Sequence, residues 1–472
     1  MKVYQCTNTE CNYPIERPTQ PFKCPNCGRQ GLGQFKVVSG VQPASASPPA
    51  APPIPPSPPP APASPVPVIQ TAPPEHRRPE KSSQPVSPAR SVRPVIASPP
   101  STPKPEKPPA SPVVPRPRGF VWSFPEHALP EEKASPLCNA PAVDANGRIY
   151  LHIHDRLVAL EERNGCPVVL WEYVTGGRAP GPVVLGQDGN LRLHCSDGCL
   201  HCVNPAGKQV WPPVPVGQPL GYAAPVVDDQ GNTFLSVFDG GLIRVDPDGR
   251  VPKSGRYFRS RQKFNSGGVI RGGVLYIGAE DGHLFAVQLG DEKGAGLWNH
   301  VAGQGRTGWY IHCRPAITED GVIVVAGRDE CLYGFAPDGS SLWKTPMSGQ
   351  MLGSPVLDRN GHIYVGIGQW QRGRQPQGLL VCSDGNSHKV RWEYRAAGPV
   401  ESTPVVGDDM IYFGDNAGLI HAVDFSGRAA WTAQLDAPVR STGTIFAPHR
   451  LAFGLDNETL VVLDCSASGW AK

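Results

Sequence analysis

The feature that most constrains the fold is a repeat that fills the last three-quarters of the chain. Each copy begins with a proline or a glycine that is followed by a short apolar run. Eight such starts succeed one another at spacings of 39 to 49 residues, and they lie at Pro141, Pro182, Pro225, Gly268, Pro315, Pro355, Pro404 and Gly443. Repeats of this length are typical of the blades of a β-propeller.

Each start is followed by two strand-like runs, for example GHIYVGI and then QGLLVCS, or DMIYFGD and then AGLIHAV. Short runs rich in β-branched and aromatic residues between glycine turns are typical of strands. Most copies then carry a tryptophan, and these are Trp171, Trp211, Trp298, Trp343, Trp392 and Trp431. We therefore predict an all-β domain over residues 119–472, an eight-bladed β-propeller whose four-stranded sheets bury one another.

The last copy lacks a fourth strand, because the chain ends soon after Leu463 and Cys465. An isolated aromatic run, Phe120-Val121-Trp122, precedes the first copy. A ring of blades has no exposed sheet edges only when it closes on itself. We therefore expect the run at Trp122 to supply the outer strand of the eighth blade and to close the ring.

The repeating unit is similar to the PQQ-like, or tryptophan-docking, repeat of quinoproteins. The similarity covers nearly all of residues 120–470, and its clearest copies are AGLIHAVDFSGRAAW at 417–431 and DGHLFAV at 281–287. Families with this repeat include quinoprotein dehydrogenases and the envelope-assembly scaffold BamB. The resemblance implies that the repeated tryptophans pack between blades, and it supports a fold better than a function.

The sequence disfavours catalysis. A quinone-dependent enzyme needs an aromatic platform, a calcium site and a base, and the resemblance implies a pair of adjacent cysteines beside the cofactor. The chain contains no Cys-Cys pair and little sequence beyond its minimal blades. Signatures of hydrolases, kinases, phosphate loops and zinc proteases are also missing. We therefore predict no enzymatic activity and no bound PQQ, with a PQQ-dependent quinoprotein dehydrogenase as an alternative.

The first 40 residues contain two cysteine pairs. Four residues separate Cys6 from Cys11, and two separate Cys24 from Cys27. Such pairs enclose a tetrahedral zinc ion, which supplies folding energy to a segment too short for an apolar core. The pattern resembles zinc ribbons and rubredoxin, and the four-residue spacing favours zinc. We predict one structural zinc ion in residues 1–40, with a redox or regulatory role as the alternative.

Residues 41–118 contain half of the 56 prolines, in runs such as PPIPPSPPP. Proline fixes φ and removes a hydrogen-bond donor, so we expect a disordered linker with polyproline II segments. The linker is either a stiff spacer or a docking strip for domains that bind such helices. Its dispersed lysines and arginines leave contact with nucleic acid or an anionic surface open.

The chain begins without an apolar leader and contains no run of 18 apolar residues, so neither export nor a membrane span is predicted. Thirteen cysteines, several of them in predicted strands, then indicate thiols or metal ligands in a reducing compartment. A cytoplasmic location is therefore predicted. The densest polar group, HCSDGCLHC at 194–202, is either a soft-metal site or a set of buried thiols, and strand alternation is expected to split it.

Two long connections between predicted strands combine aromatic residues with arginine, the composition of binding hot spots. They supply our candidate partner-binding residues, Trp309 and Tyr310 in the first and Trp370, Arg372 and Arg374 in the second. Local packing is the alternative interpretation of both loops. Together these features predict a non-catalytic protein-interaction scaffold, with the propeller as a rigid platform and the zinc ribbon as a tethered second module. A BamB-like envelope-assembly scaffold is a further alternative, and the partner is unidentified.

Overall fold

In a computed structural model, the chain forms two compact units, Met1–Pro103 and Lys104–Lys472. It describes three short strands in the first unit. In the second it describes residues 119–125 and 140–466, apart from 220–222, 238–239, 254, 261, 265, 292, 302–310, 312 and 447–448. The predicted linker, residues 41–118, lies outside the described residues.

The strands of the first unit are β1 (Val3–Cys6), β2 (Pro14–Ile15) and β3 (Phe35–Val38). They form an antiparallel sheet in the order β2-β1-β3, in which Cys6 lies opposite Phe35. Cys6 thus ends a strand, and nothing is described of its side chain. Cys11, Cys24 and Cys27 lie outside the described residues, so the zinc ribbon stays a prediction.

The second unit is an eight-bladed β-propeller, as predicted. In its described part, every blade is an antiparallel sheet of four strands that we call A to D from the centre outwards. The first strand in the chain is β4 (Phe120–Phe124), which serves as strand D of blade 8.

The A strands of blades 1 to 8 are β5 (Ala142–Val143), β9 (Val184–Leu185), β13 (Val226–Val227), β17 (Gly268–Arg271), β21 (Ala316–Ile317), β25 (Val356–Leu357), β29 (Val405–Val406) and β33 (Thr444–Phe446). The B strands are β6 (Ile149–Ile153), β10 (Leu191–His194), β14 (Thr233–Val237), β18 (Val274–Gly278), β22 (Ile323–Gly327), β26 (Ile363–Gln369), β30 (Met410–Gly414) and β34 (Arg450–Gly454).

The C strands are β7 (Arg156–Arg163), β11 (Cys199–Val203), β15 (Gly241–Val245), β19 (His283–Gln288), β23 (Cys331–Phe335), β27 (Gln377–Ser383), β31 (Leu419–Asp424) and β35 (Leu460–Asp464). The D strands of blades 1 to 7 are β8 (Cys166–Val174), β12 (Val214–Pro215), β16 (Phe258–Arg259), β20 (Ala295–Val301), β24 (Ser341–Pro346), β28 (Val390–Ala396) and β32 (Ala429–Gln434).

The core lies between the blades and is built mainly from strands B and C. All five residues of Ile149–Ile153 are buried, as are the five of Ile323–Gly327. Both faces of these strands are covered by neighbouring sheets, which explains their continuous apolar runs. The D strands, such as Val390–Ala396, alternate between exposed and half-buried residues because their outer edge faces solvent.

The ring closes through β4, as the sequence predicted. Strand β35 pairs with β4 in antiparallel register, so Val462 lies opposite Trp122. The Trp122 side chain is buried in a cluster that includes Leu151 and Leu160 of blade 1. Strands from the two ends of the domain therefore share one sheet and one core.

The repeated tryptophans pack between blades, as the resemblance implied. Trp171 Nε1 donates to the Pro205 carbonyl of the next blade at 3.0 Å, and Trp392 Nε1 donates to the Phe425 carbonyl at 3.1 Å. A Cβ added to Gly427 would lie 2.7 Å from the Trp392 ring. Each of these indoles thus covers a turn of the neighbouring blade too closely for a larger residue.

Blade 2 departs from the predicted pattern. Trp211 lies outside the short strand β12 (Val214–Pro215), although the other units predict a tryptophan within strand D. The residues that follow it, Pro212 and Pro213, cannot donate to a strand ladder. The Trp211 side chain is nevertheless buried, and its ring fills the space beside Gly249 of blade 3.

Candidate functional site

One end of the propeller, which we call the upper face, carries the turns between strands B and C. These turns include residues 154–155, 195–198, 279–282, 328–330, 370–376, 415–418 and 455–459. The connections from each strand D to the next strand A reach the same end, because neighbouring strands in a blade are antiparallel. The predicted partner loop with Trp370, Arg372 and Arg374 is one of these turns.

Backbone hydrogen bonds tie the connections to the turns. Ser196 N–H donates to the Arg178 carbonyl at 2.7 Å, and Asp456 N–H donates to the Pro438 carbonyl at 3.0 Å. Each bond joins a turn of one blade to the connection that enters that blade. The upper face is therefore a set of loops fixed to a rigid scaffold, which is the arrangement that binding proteins use.

Ion pairs add a second set of links between blades 1, 2, 7 and 8. The buried Glu458 carboxylate lies 3.2 Å from His154 Nδ1 and 3.7 Å from Arg178 Nη1. Arg440 contacts Asp456 at 2.5 Å, and burial raises the pKa of Asp456 despite this guanidinium. These paired charges hold the face together.

The B–C turn of blade 6, residues 370–376, is the longest among those described and carries three predicted site residues. Trp370 is 43% exposed, and Arg372 and Arg374 are exposed as well. The indole lies directly over Gly368, where an added Cβ would be 2.1 Å from Trp370 Cη2. The tryptophan is thus held in place by the backbone while much of its ring faces solvent.

Within this turn, Arg374 N–H donates to the Gln371 carbonyl at 3.1 Å, and Gln369 Nε2 donates to the Ser348 carbonyl at 2.6 Å. The structure therefore brings Trp370, Arg372 and Arg374 together on one ordered turn. Their role in partner binding stays a prediction. Trp309 and Tyr310 lie outside the described residues.

A feature that the sequence alone did not indicate lies at the start of the innermost strands, the strands A. The pairing of strands A and B aligns the eight blades, and one aligned position lies just before each strand A. The residues at this position are Ala140, Pro182, Ala224, Gly267, Arg314, Ser354, Thr403 and Thr442. Neighbouring members touch: Arg314 N–H donates to Ser354 Oγ at 2.9 Å, and Ser354 N–H donates to Thr403 Oγ1 at 2.9 Å.

Arg314 is the charged member of this ring. The residue as a whole is exposed, but the surrounding protein removes water from its guanidinium, and this desolvation lowers the pKa of the group. Among the described residues, no carboxylate pairs with it. Within the part of the chain that the structure describes, this positive charge is therefore uncompensated, and such a charge suits a carboxylate. Aligning the eight starts would have revealed it as an arginine among small or uncharged residues.

Three comparisons with known proteins bear on this fold. Residues 360–468 match the family model described as outer membrane protein assembly factor BamB. A curated relative, the outer membrane protein assembly factor BamB of Yersinia pestis, is 27% identical over 169 residues, which is 34% of this chain. The match spans 41% of that relative, which is less than half of its length.

Solved structures of similar fold include BamB and dehydrogenases. BamB from Moraxella catarrhalis has a TM-score of 0.57 at 15% identity and aligns with 73% of this chain and 99% of its own. A quinohemoprotein alcohol dehydrogenase from Pseudomonas putida has a TM-score of 0.57 at 12% identity, covering 75% of this chain and 77% of its own. Identities this low establish a common propeller fold and leave the function undecided.

One prediction is overturned. The cytoplasmic location is wrong, because the matched family and the curated relative are outer membrane protein assembly factors. The prediction was based on the first residues and on cysteine usage, and neither of these reports where a propeller of this type works. The described part of the chain contains no helix long and apolar enough to cross a membrane.

Proposed function

We propose that this protein is a non-catalytic scaffold for protein interactions, and that its propeller binds a partner through the upper face. The observation that carries the proposal is Trp370, an indole held over Gly368 but 43% exposed, on a turn that also presents Arg372 and Arg374. Tryptophan and arginine contribute the largest binding energies in protein interfaces. A rigid aromatic group also loses little conformational entropy when it binds.

The charge of the face indicates the kind of partner. Acidic residues of the face such as Glu458 and Asp456 are engaged by arginines of the same face. Arg372 is exposed, and Arg314, just before strand A of blade 5, adds a positive charge without a described acidic partner. The partner segment is therefore acidic and carries an apolar group that covers Trp370.

The named function of the relatives supports the same class of activity. The Yersinia pestis and Moraxella catarrhalis proteins are assembly factors, and assembly requires contacts between proteins. By this proposal the N-terminal cysteines, Cys6, Cys11, Cys24 and Cys27, hold a structural zinc ion in a second binding module. The proline-rich segment then keeps that module at high effective concentration near the propeller.

The proposal is tested by affinity capture with the full chain from its native source, followed by crosslinking and mass spectrometry. Replacing Trp370 and Arg372 by alanine should leave the melting temperature unchanged and reduce partner recovery at least about tenfold, since hot-spot residues contribute about 2 kcal/mol or more each. The matched control replaces Leu342 and Arg428, an exposed apolar residue and an exposed arginine away from the upper face. Equal recovery by both double variants would refute the proposed surface.

The enzyme alternative is tested separately. A quinoprotein binds its cofactor in the propeller and is stabilised by that binding. We expect added pyrroloquinoline quinone and calcium to leave both the absorption spectrum and the melting temperature of the full chain unchanged. A stoichiometric quinone spectrum with a raised melting temperature would replace the scaffold proposal by a cofactor-dependent one.

A further inference from the structure

The hairpin that joins β10 and β11 in blade 2 contains the polar group that the sequence singled out. The ladder pairs Leu193 with His201, and Cys195 N–H donates to the Cys199 carbonyl at 3.0 Å two pairs further on. Residues opposite each other, and residues two apart, share a face of a sheet. Cys195, Cys199 and His201 therefore lie on one face.

Strand alternation splits the group, as expected. His194 and Cys202 lie on the opposite face, but three of the five cysteines and histidines stay together. His194 Nε2 is engaged there by the Gly217 carbonyl at 2.7 Å. The turn residue Asp197 reaches the face that holds Cys195 and His201.

Three ligand atoms converge at this place. A sulfur of Cys195, a carboxylate oxygen of Asp197 and a ring nitrogen of His201 all lie within 4.8 Å of one another. Cys195 and His201 are buried, whereas Asp197 lies at the surface and leaves a path for entry. Sulfur, nitrogen and oxygen ligands in a compact set are those that zinc binds, and three protein ligands leave one position open.

Both ring nitrogens of His201 face polar groups. Tyr173 Oη lies 3.2 Å from His201 Nδ1 and donates its own hydrogen to Gln209 Oε1 at 3.3 Å. Asp197 Oδ2 lies 2.9 Å from Nε2, and a proton between the two atoms makes this a hydrogen bond when no metal is bound. A metal ion would replace that proton, and an outer partner on Nδ1 is typical of histidines that bind metal.

Blade 7 supplies an internal comparison. Asp415 occupies the position of Cys195, and its Oδ2 lies 3.0 Å from His421 Nε2. That carboxylate also accepts backbone N–H groups, from Ala397 at 3.1 Å and Gly398 at 3.0 Å on Oδ2 and from Leu419 at 2.9 Å on Oδ1. Its oxygens are saturated, so this pair is structural. In blade 2 a thiol replaces the saturated carboxylate.

We propose that Cys195, Asp197 and His201 bind one divalent zinc-class metal ion, with Cys199 as the neighbouring side chain that can fill the fourth position. On binding, the Cys195 thiol gives its proton to solvent and the thiolate bonds to the metal, without a change of oxidation state. The site lies on one blade, and its existence does not depend on the interaction function proposed above.

The test uses Co²⁺ as a spectroscopic probe, because a thiolate ligand gives it a charge-transfer band. The full chain is prepared with Cys24→Ser and Cys27→Ser, so that the N-terminal cysteines do not hold metal, and is stripped with a chelator. We expect this chain to bind one equivalent of Co²⁺ with the charge-transfer band, and Zn²⁺ to displace it. Zn²⁺ should also raise the melting temperature.

Variants assign the ligands. Cys195→Ser should abolish the band, and Tyr173→Phe should weaken metal affinity about 10–100-fold, as the loss of an outer partner does. Cys202→Ser, on the other face of β11, the strand that carries His201, should leave binding unchanged. His421→Gln, in the structural pair of blade 7, should leave it unchanged as well. Asp197→Asn changes only a turn side chain at the surface, and it should reduce the zinc-induced rise in melting temperature even if Cys195→Ser fails to fold.

The proposal is overturned if the folded chain with Cys24→Ser and Cys27→Ser binds no stoichiometric cobalt or zinc. It is also overturned if Asp197→Asn and Tyr173→Phe bind metal as tightly as the parent chain, since the metal would then lie elsewhere.

Discussion

Trp122 Nε1 donates a 3.0 Å hydrogen bond to Glu162 Oε2, and so joins the first strand of the propeller to blade 1. The same carboxylate accepts from Arg450 of blade 8, with Nη2 3.0 Å from Oε1. Thr444 Oγ1 adds a 2.8 Å hydrogen bond to the Pro141 carbonyl at the inner end of the contact between blades 8 and 1, which we call the seam. Closure of the ring therefore depends on residues more than 280 positions apart in the chain.

Removal of β4 should open the ring. Deletion of residues 119–124 exposes the edge of β35, and we expect the chain to unfold or to polymerise through that edge. Trp122→Ala should cost about 3–5 kcal/mol of unfolding free energy, the usual loss for a buried tryptophan. Chemical denaturation and size-exclusion chromatography measure both effects. Trp370→Ala is the matched control, and a deletion variant that melts like the intact chain would show that β4 is not required.

The seam should also make the stability of the fold depend on pH. Burial alone would raise the pKa of Glu162, but the hydrogen bonds from Arg450 and Trp122 outweigh it and hold the pKa below its ordinary 4.5. A carboxylate with a lowered pKa stabilises the fold above pH 4.5, and this contribution is lost as the pH falls through the lowered value. Glu162→Gln should therefore be less stable than the parent at neutral pH.

Denaturation of both chains from about pH 7 down to about pH 3 checks this sign, because the difference isolates one carboxylate from the others. The stability difference should shrink towards zero at the acid end. A difference that stays constant across this range would mean that the ion pair contributes nothing beyond packing.

The close contact between Trp392 and Gly427 can be tested by comparing Gly427 with a glycine that has no such contact. Gly427 and Gly361 both have positive φ, at 85° and 77°, so alanine is strained at either. Only Gly427 lies against a ring, that of Trp392, whereas nothing lies within 4 Å of a Cβ at Gly361. Gly427→Ala should therefore cost about 1–3 kcal/mol more than Gly361→Ala, the cost of overpacking. Equal losses in urea denaturation would show that the indole shifts freely.

Arg314 should lower the stability of the fold but contribute to partner binding. The surrounding protein lowers the pKa of its guanidinium, with no described acid to compensate, so the folded state disfavours its charge. We expect Arg314→Ala to melt at the same or a higher temperature while partner capture falls. Arg440→Ala, which removes a paired arginine, should lower the melting temperature instead. A clear loss of stability in Arg314→Ala would contradict the assignment of a binding role.

The propeller could be predicted from the sequence because the blade period, the glycine turns and the isolated aromatic run at Trp122 are all visible in short stretches of sequence. Other features needed cross-strand register. Cys195, Cys199 and His201 share a face only because Leu193 pairs with His201, and no single strand reveals that. The position of the Trp370 ring depends on its contact with Gly368. Arg314 stands out only when its position is compared with the equivalent positions in the seven other blades. The predicted location was wrong because it was based on the first residues and on cysteine usage, and neither is a property of the propeller fold.

The most direct test of the upper face is site-specific photocrosslinking in living cells of the native source. A photoreactive residue placed at Arg372 should give one discrete crosslinked partner, and Trp370→Ala in the same chain should remove it. The same residue at Arg428, on the opposite end of the propeller, should give none. No crosslink at position 372, or an equal pattern at both positions, would contradict the claim that this face binds a protein.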